Sequence, residues 1–304
     1  KNPTMQMDGF KYIFFWEYFH RTWGNALGFI YGLPLIYFTA RGYLKPKLRN
    51  RLYGLLAFGG LQGLIGWWMV KSGLNAKPEY QSRPRVSTYR LFVHLNAAIG
   101  IYSVLLWNGL NLVRAPPERT LDLKHFRSTM NIRSKMILLV HCVALNILSG
   151  VTVAGIDAGA VFNTWPDMNG AFVPPGIFSK TPFWRNFFEN MGTTQFFHRN
   201  FAYLTWAVSC YLFVHSRNAT LPVPVMRGIA ALFAIVNLQL ILGIMTVMLQ
   251  VPIELGVAHQ TNALLVLTTA LYTLHTARRP SKKYVHYLKM ASSQFKPLKM
   301  NQNH

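Results

Sequence analysis

The sequence predicts an all-α polytopic membrane protein, and three observations lead to that fold class. Of the 304 residues, 51% are hydrophobic and 13% are charged, against about 25% charged residues in a typical soluble domain. The uncharged residues are clustered, since seven stretches of 17 or more residues contain no Lys, Arg, Asp or Glu. A membrane-spanning helix needs about 20 mostly apolar residues, and a helix satisfies its backbone hydrogen bonds within the segment.

We therefore expect seven transmembrane helices, called spans A to G in chain order. They cover residues 23–40 (A), 52–70 (B), 91–113 (C), 136–156 (D), 200–216 (E), 228–253 (F) and 255–277 (G).

The basic residues predict the orientation of these spans. The formal net charge is +22, and Lys and Arg are concentrated between spans A and B, between C and D, and after G, although the B–C loop is an exception with five basic residues. Loops on the cytoplasmic or matrix side of a membrane carry an excess of Lys and Arg, so these segments are predicted to lie inside. Their charges would contact anionic lipid. Basic charge alone is weak evidence for nucleic-acid binding, and we expect no nucleic-acid partner.

An internal repeat divides the sequence into two halves. The motif Phe-His-Arg opens span A at His20 and span E at His198, 178 positions later. Gln62 in span B and Gln239 in span F recur after 177 positions. Spans C and G repeat a third motif, "HLNAA" and "HQTNA". Span D has no counterpart, so we expect a further helix before Lys1 in a parent protein of eight spans, arranged as two pseudo-repeated four-helix bundles. The alternative is that span D is an unpaired linker helix.

The repeat predicts four segments. Residues 1–113 form an N-terminal half-bundle whose first helix is missing, residues 114–135 a matrix-side linker loop, residues 136–277 a C-terminal four-helix bundle, and residues 278–304 a basic C-terminal tail.

Four histidines are the candidate metal ligands: His20, His94, His198 and His259. Each opens a span that is predicted to enter from the outside, so all four are predicted to lie at one depth. A single histidine in a span is more often a hydrogen-bonded core residue than a ligand. Two repeat-related pairs on neighbouring helices, however, have the geometry for axial ligation of a haem between the helices of a bundle. No cluster of Cys or carboxylates accompanies them, which argues against zinc.

The two halves differ beside these histidines. Glu17 stands three residues before the histidine of the first half, and Gln195 three residues before that of the second half. Side chains at this spacing share a helix face, so the contrast indicates one site for chemistry and one for electron relay. Alternatively, Glu17 is an interfacial carboxylate that pairs with Arg21 or Lys11. Arg21 would bind a haem propionate or anchor the end of the helix.

Six motifs in this order resemble haem A synthases of the mitochondrial type: "EYFHR", "QGLIGWWMVKSGL", "YRLFVHLNAA", "VAGIDAGAVFNTWPDMNG", "QFFHR" and "AHQTNA". The resemblance covers roughly residues 10–280. It implies eight helices in two halves. It also implies that the methyl group of haem O is oxidised to a formyl group by successive hydroxylations, which gives haem A for cytochrome c oxidase.

By the same resemblance, His198 and His259 are the axial ligands of a haem b cofactor, and His20 and His94 those of the haem O substrate. Glu17 matches the acid that is essential in the family. The expected partners are haem O from haem O synthase, a ferredoxin-type electron donor and membrane lipid, and a homo-oligomer is left open. The expected location is the inner mitochondrial membrane, with the histidine pairs near the intermembrane-space face.

Two other classes of function would also place four histidines in a helical bundle. One is a di-haem b electron carrier without chemistry of its own. Haems that pass electrons across a bilayer are expected at two depths, whereas these histidines are predicted at one. The other is a transporter whose histidines line a pore, which bound haem would exclude.

Overall fold

The structure is a computed structural model that describes residues 6–74, 85–114 and 123–294. The α-helices are Met7–Ala40 (α1), Pro46–Leu74 (α2), Thr88–Val113 (α3), Leu123–Gly155 (α4), Ala158–Val161 (α5), Asn186–Glu189 (α6), Met191–Arg217 (α7), Val223–Met248 (α8), Ile253–Thr276 (α9) and Lys282–Gln294 (α10). Within the described ranges, β pairing is limited to one isolated bridge between Met168 and Ala171. The all-α prediction is therefore confirmed.

Each predicted span falls largely within one long helix, but span F extends five residues beyond the end of α8 at Met248, and spans D and G each extend one residue beyond α4 and α9. In the described part of the chain, four stretches are long and apolar enough to cross a bilayer: Pro46–Gly73, Thr88–Val113, Lys124–Gly155 and Val223–Met248. This confirms a polytopic membrane protein. Helices α1, α7 and α9 contain 34, 27 and 24 residues, which is long enough to cross, but they are less apolar than those four. Three of the candidate ligands lie on these more polar helices.

The chain forms two compact units, residues 1–104 with 154–156, and residues 105–153 with 157–304. In the first unit, α1 packs on α2 around Gly32, where an added Cβ would lie 3.8 Å from the Leu56 side chain. The Tyr31 hydroxyl donates a hydrogen bond to the Leu52 carbonyl at 2.9 Å. Residues 6–25, before this contact, are exposed along their whole length.

In the second unit, α4, α7, α8 and α9 share one core. Its almost fully buried side chains include Ile132 on α4, Leu212 on α7 and Leu232 on α8. Helices α8 and α9 approach closely at Gly228, where a Cβ would lie 2.6 Å from Thr273 Oγ1. Small residues at such crossings allow the close van der Waals packing that holds helices together in a bilayer.

The predicted linker loop 114–135 is wrong at its C-terminal end. Helix α4 begins at Leu123, so residues 123–135 are helical, while residues 115–122 lie outside the described ranges. Charged residues mark where a helix leaves the bilayer, but Lys and Arg are good helix formers, so the helix continues beyond the apolar stretch. In the predicted tail 278–304, residues 282–294 likewise form α10, and residues 295–304 are not described.

The boundary of the first half also differs from the prediction. The boundary between the two compact units falls within the continuous helix α3, after Val104. The sequence had placed the end of the N-terminal half at residue 113. The last turns of α3 belong to the second unit because they contact α9 there: His275 Nε2 lies 2.9 Å from Asn111 Oδ1.

Candidate functional site

Two of the candidate ligands face each other in the second unit. The rings of His198 on α7 and His259 on α9 have centroids 6.4 Å apart and planes at 81°. A bond between a metal and an imidazole nitrogen is about 2.0–2.1 Å long, so two imidazoles on opposite sides of one haem iron have ring centres about 6 Å apart. The observed separation of the ring centres agrees with that of two histidines that bind one haem.

The hydroxyl of Ser149 fixes which nitrogen of His198 is free to bind a metal. Ser149 Oγ donates to the Asn146 carbonyl at 2.9 Å and lies 2.9 Å from His198 Nδ1. Because the hydroxyl hydrogen is used in the first bond, the hydroxyl oxygen accepts the second bond from Nδ1–H. The other ring nitrogen, Nε2, is then unprotonated, which is the state that binds a metal.

Three of the four histidines pack against a glycine on a neighbouring helix. In each case a Cβ added to the glycine would lie 3.0 Å from the histidine Cε1. The pairs are His94 with Gly66, His198 with Gly150, and His259 with Gly243. Since any side chain at these glycines would displace the ring, the close approach is part of how the histidines are positioned.

The variant Gly150→Leu is expected to weaken haem binding at the second site about 10- to 100-fold, the range seen when residues that orient a metal ligand are changed. The added side chain occupies the space of the His198 ring and moves its Nε2. Haem retained after purification and haem titration of the apoprotein measure the effect. The matched control is Gly256→Leu on α9, where a Cβ has no neighbour within 4 Å. Equal haem affinity in the two variants would contradict the positioning role.

In the first unit, His94 is half-buried on α3 and His20 is exposed on α1. Among the described residues, a ring contact is found for His198 and His259, and the pairing of His20 with His94 stays a prediction.

Beside His20, Glu17 pairs with Arg21, at 2.5 Å between Oε1 and Nη2. The side chains are 47% and 61% exposed, and an exposed pair four residues apart on a helix contributes only about 0.3–0.5 kcal/mol. The ion pair of Glu17 with Arg21, which the sequence offered as the alternative to a catalytic role for Glu17, is therefore present. Because the pair is weak, a substrate can separate the two groups at little cost.

The equivalent positions in the second unit are used differently. Gln195 is 1% exposed, and its Nε2 donates to the Phe162 carbonyl at 2.8 Å. Arg199 donates to the Phe162, Thr164 and Asp167 carbonyls at 2.7–3.0 Å. Both side chains therefore hold the segment after α5 against α7, so Arg199 is committed to backbone carbonyls.

Several polar side chains that support the histidine-bearing helices could not be recognised from the sequence. Ser149 stands directly before Gly150, but a serine in an apolar span is also a common packing residue. Asn262 on α9 donates to Gln239 Oε1 at 2.8 Å. His275 is fully buried and is hydrogen-bonded to Asn111, so it is a structural histidine on the same helix as His259.

The fold and the paired histidines define a class of protein, a polytopic helical membrane protein with candidate haem ligands on neighbouring helices. Within that class the chain belongs to the cytochrome oxidase assembly protein family, COX15-CtaA, which matches residues 1–271.

Relatives from plants, animals and bacteria support this assignment. The chain is 40% identical to "Heme A synthase COX15" of Arabidopsis thaliana, over 97% of this chain and 64% of the relative. It is 37% identical to "Heme A synthase COX15" of Homo sapiens, over 92% and 68%. It is 42% identical to "Heme A synthase" of Allorhizobium ampelinum, over 88% and 70%. The chain thus spans about two thirds of the length of these relatives. No solved structure matches it.

Proposed function

We propose that this chain acts in a haem A synthase, which oxidises the methyl group of haem O to a formyl group by successive hydroxylations and supplies haem A for cytochrome c oxidase. The observation that carries the proposal is the contrast between the two histidine-bearing helices. The carboxylate of Glu17 is exposed beside His20, whereas Gln195 beside His198 is buried and bonded to a loop carbonyl. The relatives named heme A synthase support the same activity.

The residues of the second unit fit a resident haem b. His198 and His259 would hold it, with the Ser149 hydroxyl keeping His198 Nε2 free of a proton. Haem b, when bound, supplies one-electron transfer. Gln195 carries no ionisable group, and it is committed to the Phe162 carbonyl. This arrangement suits a relay of electrons.

The residues of the first unit would bind the substrate. His20 and His94 would hold haem O, and Arg21 can exchange its bond to Glu17 for a propionate of the substrate, since arginine pairs well with carboxylates. The released Glu17 carboxylate, one helical turn from His20, can then accept or deliver a proton during the oxidation.

The location and the partners follow from this activity. The protein would lie in the inner mitochondrial membrane with its histidine pairs near the intermembrane-space face. It would take haem O from haem O synthase and electrons from a ferredoxin-type donor. The basic segments predicted to face the matrix suit an acidic donor, because complementary charge accelerates association.

The test is to purify the protein from membranes that also contain haem O synthase and a reducing system, and to extract and separate its pigments. We expect haem b together with haem O or haem A, and haem A that increases with turnover. Two equivalents of haem b without any haem A would instead indicate the di-haem electron carrier. A protein without haem would contradict both functions.

A further inference from the structure

Gln62 and Gln239 occupy repeat-related positions, and both lie against a histidine of the adjoining helix. Each glutamine precedes by four residues the glycine on which that histidine packs. Gln62 on α2 contacts His94, and Gln239 on α8 contacts His259. Both contacts are made by the NH₂ group of the glutamine, which meets the backbone carbonyl of His94 in the first unit and the ring of His259 in the second.

In the second unit, the amide of Gln239 turns its NH₂ group to the ring. Asn262 Nδ2 donates to the Ile235 carbonyl at 3.2 Å and to Gln239 Oε1 at 2.8 Å. A backbone carbonyl can only accept, so Asn262 must present its NH₂ group there, and Gln239 must present its oxygen to Asn262. The Nε2 of Gln239 is left facing His259, 3.2 Å from Nδ1 and 3.3 Å from Nε2.

In the first unit, the NH₂ group of Gln62 is used by the backbone and not by the ring. Gln62 Nε2 donates to the backbone carbonyl of His94 at 2.7 Å, which leaves Oε1 as the free end. Within the described residues, Gln62 Oε1 and His94 Nδ1 are both buried and both lack a hydrogen-bond partner. The position equivalent to Asn262 is Ala97, which has no group to hold the amide oxygen.

We propose that Gln62 and Gln239 are positioning residues that set the electron-donating strength of His94 and His259, and that residues 97 and 262 determine which end of each amide faces the ring. A histidine that binds iron through Nε2 carries a hydrogen on Nδ1, and an acceptor for that hydrogen makes the imidazole a stronger ligand. In the part of the chain that the structure describes, Gln62 Oε1 is a buried acceptor without a partner, so it is available to accept this hydrogen. His259 instead faces an NH₂ group, which cannot accept.

The proposal rests on the proposed function and gives the two sites different roles. A strongly donating His94 stabilises oxidised iron in the unit where the substrate is oxidised. A weakly donating His259 stabilises reduced iron in the unit that passes electrons on. The difference would come from one position of the repeat, alanine in the first half and asparagine in the second.

The test is the midpoint potential of the haem bound by His198 and His259, measured by a spectroscopic redox titration of the haem-loaded protein. In Asn262→Ala the Ile235 carbonyl loses its donor, so Gln239 can turn its NH₂ group to that carbonyl and its oxygen to His259. We expect the preference of the site for oxidised over reduced haem to rise about tenfold, which lowers the potential by about 59 mV for one electron.

Gln239→Leu provides the matched control, because it removes the amide and leaves Asn262 in place. Adding Asn262→Ala to Gln239→Leu should not change the potential further. A potential that is unchanged in Asn262→Ala, or that falls equally in the Gln239→Leu background, would overturn the proposal while leaving the proposed function intact. Absence of haem from the unmodified protein would instead contradict the proposed function.

If Asn262→Ala loses its haem, the converse variant Ala97→Asn gives an independent answer. Asparagine at residue 97 would bind Gln62 Oε1 and withdraw it from His94. The potential of haem O bound in the first unit should then rise, and an unchanged potential would overturn the proposal.

Discussion

The variant His259→Ala is expected to lose the spectrum of a haem with two histidine ligands in the second unit, and with it the formation of haem A. His198 and His259 face each other across 6.4 Å, and no other histidine of the described second unit approaches this pair closely enough for a ring contact. With one ligand removed, a six-coordinate low-spin haem cannot form. Reduced-minus-oxidised spectra and pigment extraction measure both losses.

Two controls separate loss of the ligand from damage to the fold. His141→Ala removes an exposed histidine of α4 that is bonded only to the Ile137 carbonyl of its own helix, and it should leave the spectrum unchanged. Imidazole added to His259→Ala should restore part of the low-spin signal, because the alanine leaves a space of the size of the ring. A spectrum in His259→Ala identical to that of the unmodified protein would show that His259 is not a ligand.

The sequence was sufficient to predict the helices and the proximity of His198 to His259, because both depend on local or repeated patterns. A charge-free stretch of about 20 residues is a property of the segment itself. The pairing of His198 with His259 follows from the repeat, which carries His20 and His94 at equivalent positions. Such a comparison within one chain needs no knowledge of the three-dimensional contacts.

The supporting contacts could not be predicted, because they depend on neighbours from other helices. Ser149 is significant only because its hydroxyl is also bonded to the Asn146 carbonyl, which leaves its oxygen to accept from His198. Asn262 is significant only because the Ile235 carbonyl of α8 fixes its orientation. The sequence shows a serine and an asparagine in apolar spans, and many packing residues have the same appearance.

The linker prediction failed for a different physical reason. A cluster of Lys and Arg shows that a segment lies outside the hydrocarbon, and it was interpreted as a loop. A helix continues wherever its backbone hydrogen bonds and side chains permit, and α4 therefore begins 13 residues before the charge-free stretch at residue 136.

The variant Glu17→Gln is expected to retain haem b and to lose haem A formation by about 100-fold or more, the usual contribution of a group that transfers a proton. The substitution gives the first half the amide that the second half has at Gln195, so it preserves size and hydrogen bonding while removing the carboxylate. Turnover is measured as haem A formed per haem b, which corrects for differences in the amount of folded protein.

Glu189→Gln and Arg21→Ala distinguish the chemical role from the ion pair. Glu189 pairs with Arg185 at 2.6 Å, also four residues apart on the chain, so its substitution reports the cost of losing such a pair and should leave turnover unchanged. Arg21→Ala breaks the pair with Glu17 but keeps the carboxylate. We expect it to raise KM for haem O with a smaller loss of kcat. If Arg21→Ala and Glu17→Gln reduce kcat equally, the carboxylate acts only through its ion pair, and the assignment of proton transfer to Glu17 is wrong.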